Sequence, residues 1–152
     1  MECCSEENSC KTNAKKIVCI TCGAQAQKVN YKTVLMMLKF EQVKTAEESD
    51  YFLCTNQGCD TVYFSNKLNL IYNKNDIRIK IGFKEKAEPK LVCYCFDITE
   101  KQITDEVKQK GQSLIVEFIT EKTRNKLCAC SIKNPTGKCC LKNVNKIISN
   151  VK

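Results

Sequence analysis

Closely spaced cysteines constrain this chain more than any other feature. The C-terminal part has Cys93-Tyr-Cys95 at one end, and Cys130 and the vicinal pair Cys139-Cys140 at the other. Two close thiols, a helical-looking spacer and a second group of thiols are typical of a metal cage rather than of a packed apolar core. We hypothesise that this frame holds a [2Fe–2S] cluster.

The cysteine content favours metal ligation over disulfide bonding. The 152 residues, enough for one ordinary domain or two small ones, include 13 cysteines and no histidine or tryptophan. Disulfides need an oxidising compartment, but the N-terminus has neither the basic nor the apolar segment of a signal peptide. The hydrophobic run at residues 34–38 is too short to cross a bilayer. We therefore expect a cytoplasmic protein without membrane insertion, whose reduced thiols bind metal.

The charge of the chain does not by itself indicate nucleic-acid binding. The formal net charge is +8, but this figure counts every thiol as neutral, and metal-bound thiolates would lower it. Lysines are scattered among acidic residues, and no basic stripe with interleaved aromatic residues is present. The lysines are most simply a solvated surface, and we do not expect a nucleic-acid partner.

A first metal site is predicted upstream. Cys19 and Cys22 form a C-x-x-C knuckle followed by a glycine that permits a tight turn, and Cys54 and Cys59 supply a second pair. Without histidine, a four-cysteine zinc site is the natural closed arrangement. Rubredoxin-type iron uses the same knuckle chemistry and remains the alternative.

Strand patterns surround the second pair of this site. Residues 50–54 and 61–64 are aromatic and β-branched, and residues 77–81 alternate apolar and polar, which predicts a half-buried strand. Six aromatic residues are expected to form the core of a β-rich unit: Tyr51, Phe52, Tyr63, Phe64, Tyr72 and Phe83.

The spacer of the C-terminal frame is predicted to be a helical hairpin. Thr99 and Gln102 form a capping-box pattern, and Gly111 is a typical helix terminator. A second helix starts near residues 112–113, and a third starts at Cys140, whose thiolate would accept hydrogen bonds from the helix start. The buried face of the second helix is expected to consist of Ile115, Phe118 and Ile119.

These patterns predict an α+β protein of three parts. Residues 1–16 are a polar, flexible tail, residues 17–88 a small β-rich zinc-binding unit, and residues 89–152 a small helical unit with helix-turn-helix character. The boundary falls at Pro89, because proline suits a linker or a strand edge. The tail thiols Cys3, Cys4 and Cys10 are either spare or a site for a soft metal such as Cu(I).

The order of these motifs resembles the N-terminal region of CopZ-type copper metallochaperones, whose [2Fe–2S] half is related to bacterioferritin-associated ferredoxin. The resemblance covers residues 17–148, and its most specific element is the closing motif Asn134-Pro-x-Gly-x-Cys139-Cys140. Upstream, it rests on Cys19-x₂-Cys22, on Asp50-x-Phe52-x-Cys54-x₄-Cys59-x₂-Val62-Tyr63-Phe64 and on Glu88-Pro89-Lys90.

The resemblance implies the ligands of both sites. The cluster ligands would be Cys93, Cys95, Cys130 and Cys140. Cys128 and Cys139, which lie beside these ligands in sequence, would be neighbours or alternate ligands. The zinc ligands would be Cys19, Cys22, Cys54 and Cys59. The family's chaperones continue into a copper-binding domain that this sequence, which runs to Lys152, does not include, so the resemblance alone does not predict copper delivery.

The motifs are compatible with three functions. The first is a redox accessory protein of copper handling that passes single electrons, for example to reduce Cu(II) for a chaperone or a pump. Such a protein would depend on an external electron donor, because the sequence has no dinucleotide-binding fingerprint. The second is a cluster-based sensor or scaffold, which a homodimer would favour. The third is a zinc-ribbon nucleic-acid-binding protein. We do not expect an enzyme, because no Ser–His or Cys–His couple can exist without histidine.

Overall fold

A computed structural model describes residues 15–152 of the chain. A β-sheet forms within the first half and most of the helices lie in the second half, so the fold is α+β, as predicted. Within these residues, the strands are β1 (Ala26–Val29), β2 (Tyr51–Cys54), β3 (Thr61–Ser65), β4 (Leu70–Asn73), β5 (Leu91–Cys93) and β6 (Ile98–Thr99). The α-helices of the same part of the chain are α1 (Tyr31–Met37), α2 (Phe40–Val43), α3 (Glu100–Lys110), α4 (Leu114–Arg124), α5 (Cys130–Lys133) and α6 (Leu141–Val151).

The larger sheet is antiparallel, with its strands in the order β1-β2-β3-β4. The two strands predicted around the second cysteine pair are confirmed as β2 and β3, which pair Phe52 with Phe64. All of β3 is buried, and Tyr51, Tyr63 and Tyr72 lie in the main core cluster. Of the six aromatic residues expected in the core, Phe52 and Phe83 are only partly buried.

The strand predicted at residues 77–81 was wrong. Only Ile77 makes a β-bridge, with Leu38, and the backbone N–H of Arg78 donates to the carbonyl of Met37 at 2.8 Å. The chain beyond Leu38 turns into α2, so no extended partner is available for the rest of the segment. Ile77 and Ile81 are nevertheless buried. The alternation of apolar and polar residues therefore reflects burial of one face of the segment, although the segment does not pair as a strand.

The predicted helices of the second half are confirmed. Thr99 caps α3 through a capping box with Gln102, and Gly111 ends the helix at φ 71°. Ser113 caps α4 by accepting a hydrogen bond from the N–H of Val116. The small sheet of β5 and β6, which precedes α3, was not predicted.

The core of the second half is assembled by α3, α4 and α6. Ile103, Ile119 and Val144 are buried there, together with Cys93 and Cys140. Phe118 was expected in the buried face of α4, but 41% of it is exposed, and its ring packs edge-on against Phe96 at 5.1 Å. Two residues of the cysteine frame, Cys93 and Cys140, therefore lie in the core cluster of the helical half, and Cys95 packs against it.

The two halves of the chain are in direct contact. The hydroxyl of Thr33 in α1 donates to the carbonyl of Ser131 in α5 at 2.7 Å. The N–H of Gly82 donates to the hydroxyl of Tyr94 at 2.8 Å. Within residues 15–152, no helix is both long enough and apolar enough to cross a membrane.

Candidate metal centres

Four thiols of the first half lie close together, as their spacing predicted. The Sγ atoms of the group lie within 4.8 Å of one another. In residues 15–152, no other three or more cysteine, histidine, aspartate or glutamate side chains are gathered as closely. The members of the group are Cys19, Cys22, Cys54 and Cys59.

Two turns bring these thiols together. In the first, the N–H of Gly23 donates to the carbonyl of Cys19 at 2.9 Å, and the φ of 74° at Gly23 suits glycine. In the second, between β2 and β3, the N–H of Cys59 donates to the carbonyl of Asn56 at 3.2 Å. Cys54 ends β2, so the sheet fixes the second pair relative to the knuckle.

The surroundings of these thiols differ in polarity. Cys22 is exposed, and hydrogen bonds from the backbone of Ala24 and then from the side chain of Asn56 lower its pKa to about 6. Cys54 is buried, and burial raises the pKa of this thiol to about 12. A divalent metal would compensate that desolvation by binding the thiolate form.

The chemistry of this donor set fits zinc. Four sulfur donors at mutual contact distances match the closed tetrahedral coordination of structural zinc sites. Three of the four residues are buried and one is exposed, so the site is shielded on most sides and reachable at Cys22.

The second predicted group lies where the small sheet meets two helices. Cys93 ends β5, Cys95 lies in the turn after it, Cys130 begins α5 and Cys140 directly precedes α6. The Sγ atoms of Cys95 and Cys130 are 3.7 Å apart. The N–H of Ala129 donates to the Sγ of Cys95 at 3.2 Å, and such bonds stabilise thiolate charge.

The pKa values within this group indicate shared hydrogen bonds. Hydrogen bonding from Cys140 lowers the pKa of Cys130 to about 5 and that of Cys93 to about 7. The pKa of Cys140 is raised, because its proton is shared with Cys130 and Cys93 in a buried position. Burial raises the pKa of Cys95 to about 12. All four residues therefore interact as one network of thiols.

The turn between Cys130 and Cys140 forms as predicted. The N–H of Gly137 donates to the carbonyl of Asn134 at 2.8 Å, and the side chain of Asn134 accepts from the N–H of Thr136 at 3.0 Å. Cys140 does not cap α6 with its side chain, contrary to expectation. Its thiol instead bonds to the neighbouring sulfurs.

Three buried thiols and one half-buried thiol fit an iron–sulfur cluster, because such clusters are held by cysteine thiolates. The sulfurs of the second group interact in a chain, and they are not gathered as closely as those of the first group, which all lie within 4.8 Å of one another. A looser arrangement suits a dinuclear centre, because each iron takes only two of the thiolates.

Cys128 and Cys139 are half-buried, and Cys128 hydrogen bonds to Cys130. Cys3, Cys4 and Cys10 lie outside the described residues. Sequence reasoning missed Lys84, which is buried beside the first group and donates to the carbonyl of Cys59. No sequence signal distinguished this lysine from the others.

The fold and the two thiol groups define a small α+β metal-binding protein. A family model described as a zinc-binding domain, that of CopZ, matches residues 9–78. The copper chaperone CopZ of Archaeoglobus fulgidus is 32% identical over 122 residues, which are 80% of this chain and 57% of that protein.

A solved structure gives the same relationship. The X-ray structure of the N-terminal domain of Archaeoglobus fulgidus CopZ superposes with a TM-score of 0.71 at 27% identity, over 86% of this chain and 97% of that one. The chain is thus related, in sequence and in fold, to the N-terminal domain of CopZ-type copper chaperones, as its motifs indicated. Residues 9–78 resemble the zinc-binding domain of CopZ, and they contain the compact cluster of four cysteines. It spans little more than half the length of that chaperone.

Proposed function

We propose that the chain is a zinc- and [2Fe–2S]-binding redox accessory protein of copper handling in the cytoplasm. The observation that carries this proposal is the presence of two separate groups of four cysteines with different geometry. The compact group suits one zinc ion, and the looser group suits a dinuclear cluster.

The proposal assigns one site to each half. The unit of residues 17–88 would hold zinc through Cys19, Cys22, Cys54 and Cys59. The unit of residues 89–152, which resembles bacterioferritin-associated ferredoxin, would hold the cluster through Cys93, Cys95, Cys130 and Cys140. The direct contacts between the halves support a structural role for zinc, which would stabilise the sheet against which the loop of Cys130 packs.

A bound [2Fe–2S] cluster supplies one-electron chemistry, which suits reduction of Cu(II) to Cu(I) with an external electron donor. The chain's own residues would keep the thiols shielded and stabilise thiolate charge. At Cys95, the N–H of Ala129 would stabilise the thiolate charge by donating a hydrogen bond to the Sγ atom. In this role the protein is an electron carrier rather than an enzyme, and its partners are the donor and a copper chaperone domain or copper pump.

The test is anaerobic purification, followed by metal and sulfide analysis and a visible spectrum of one sample. We expect about two iron, two sulfide and one zinc per chain and a red-brown colour that bleaches on reduction with dithionite. A colourless protein that contains two zinc ions would contradict the redox function and favour a zinc-binding module.

A further inference from the structure

Lys84 is the only charged residue that is buried in residues 15–152, with 1% of its surface exposed. It ends a short 3₁₀ turn, Gly82–Lys84, which lies after the sheet in the chain. Burial of an ammonium group is costly unless hydrogen bonds and an opposite charge compensate for the lost water. The position of this lysine therefore requires an explanation.

The hydrogen bonds of Lys84 are directed at the loop that carries the second cysteine pair of the compact group. Its Nζ donates to the carbonyl of Asn56 at 2.9 Å and to the carbonyl of Cys59 at 3.1 Å. Charge-assisted bonds of this kind are stronger than neutral ones. They fix the backbone between Cys54 and Cys59.

Carbonyl groups do not neutralise the charge of Lys84. In the part of the chain that the structure describes, no carboxylate forms an ion pair with it. Groups close to it that can become anionic are the thiols of the compact group, since Lys84 donates to the carbonyl of Cys59, one of its four members. Four thiolates around a divalent ion carry a net charge of about −2.

We propose that Lys84 is the internal counter-cation of the tetracysteine metal site, and that its fixed positive charge increases the affinity of the site for zinc. This inference rests on the zinc function proposed above. Lys84 lies beyond residues 9–78, which match the zinc-binding family model, so that match does not assign it a role. It acts as a positioning residue, because it touches the backbone of a ligand rather than the metal.

A second lysine supports the arrangement, because the Nζ of Lys74 donates to the carbonyl of Lys84 at 3.2 Å. The turn that carries Lys84 is thus held in place independently of the cysteines.

A counter-cation and a packing residue differ in how their removal affects the metal-free and the zinc-bound states of the protein. Replacing Lys84 by an apolar side chain removes its hydrogen bonds to two carbonyls in both states, but only the zinc-bound state also loses a cation that faces four thiolates. With zinc bound, the same replacement leaves a buried dianionic site without its cation. A packing residue would instead contribute equally to both states.

The experiment compares Lys84→Met, which removes the charge, with Lys84→Gln, which keeps a hydrogen-bond donor. Lys142→Met removes one exposed lysine charge from α6 and is the matched control. The zinc dissociation constant is measured by competition with a chromophoric chelator, and the stability of each metal-free protein is measured by urea unfolding. Wild-type protein in the same assay tests the zinc function itself.

We expect both substitutions of Lys84 to weaken zinc binding by about tenfold or more, and Lys142→Met to leave it unchanged. Metal-free Lys84→Met should be less stable than the metal-free wild type, because two carbonyls lose their donor, but a loss shared by both states does not change the zinc affinity. Unchanged zinc affinity in Lys84→Gln would overturn the counter-cation role. This result would be decisive even if Lys84→Met failed to fold. A wild-type protein that binds no zinc would instead refute the proposed function, and this inference with it.

Discussion

The hydroxyl of Tyr63 donates a hydrogen bond to the carbonyl of Pro135 at 2.5 Å across 72 residues of sequence. Tyr63 lies in β3, and Pro135 lies in the turn between Cys130 and Cys140; both are buried. Burial raises the pKa of Tyr63, so its hydroxyl remains a donor over the accessible pH range. The core of the sheet therefore contacts the loop that carries two of the proposed cluster ligands.

We expect Tyr63→Phe to lower the free energy of unfolding by about 1–3 kcal/mol, because it leaves the buried carbonyl of Pro135 without its partner. Urea unfolding measures this change. Tyr72→Phe is the control, since its hydroxyl bonds to Thr45 at 3.0 Å within the first half. Only Tyr63→Phe should also reduce the iron content of the purified protein, and equal iron content in both variants would contradict a link between the sheet and the cysteine loop.

Two glycines with the same backbone conformation offer a second test of that contact. Gly137 and Gly111 both have φ 71°, but a Cβ at Gly137 would lie 2.7 Å from the Oγ1 of Thr33, whereas a Cβ at Gly111 would meet nothing within 4 Å. Alanine at either position costs about 1–2 kcal/mol for the left-handed conformation. Gly137→Ala should cost more, because Thr33 donates to Ser131 and has little freedom to move. An equal loss of unfolding free energy in Gly137→Ala and Gly111→Ala, measured by urea unfolding, would show that the contact between Gly137 and Thr33 can open without cost.

The two proposed metal sites should be separable by mutation. We expect Cys95→Ala to abolish cluster assembly, because it removes the sulfur that lies 3.7 Å from that of Cys130 and accepts from Ala129. Zinc should stay bound, and metal and sulfide analysis measures both. Cys54→Ala is the reciprocal variant and should lose zinc. Loss of both metals from Cys95→Ala would contradict two independent sites.

Local patterns predicted the elements that frame the sites. The capping box of Thr99 and Gln102 and the terminator Gly111 predicted α3 because their bonds lie within one turn of the chain. The strands β2 and β3 followed from their aromatic and β-branched residues. The knuckle spacing of Cys19 and Cys22 also predicted which thiols of the first half would meet.

Features that depend on distant contacts could not be predicted. The alternation at residues 77–81 arises from burial against α1 and its surroundings, not from a neighbouring strand. The bonds of Tyr63 and Thr33 to the loop of the second half connect residues that no local pattern relates. Lys84 was indistinguishable from surface lysines, because its burial is decided by the packing of the turn that carries it.

Cys139 stands next to a proposed ligand, so its role needs a direct test. The hydrogen bonds that shift the pKa of Cys93 and of Cys130 come first from Cys140. We therefore expect Cys139→Ala to keep the visible chromophore and its iron content, and Cys140→Ala to lose both. Loss of the visible chromophore in Cys139→Ala would show that Cys139, rather than Cys140, is the fourth ligand.

Cys22 should be the most reactive thiol of the compact group in the metal-free protein. It is exposed, and the hydrogen bond from the backbone of Ala24 lowers its pKa to about 6. Cys54 is buried, and its pKa is raised to about 12, so it stays protonated near neutral pH. Since the thiolate is the nucleophile, iodoacetamide at pH 7 should label Cys22 before Cys54.

The pH dependence follows from the direction of the shift. Because the pKa of Cys22 is lowered, its reactivity should be high above pH 6 and fall as the pH drops below that value. Peptide mass spectrometry at timed intervals measures labelling at each cysteine. Protein unfolded in urea is the control, in which all cysteines should react with midpoints of about 8.5. Zinc should suppress labelling at Cys22. A labelling midpoint near 8.5 at Cys22 in the folded, metal-free protein would contradict the hydrogen bonding that the knuckle provides.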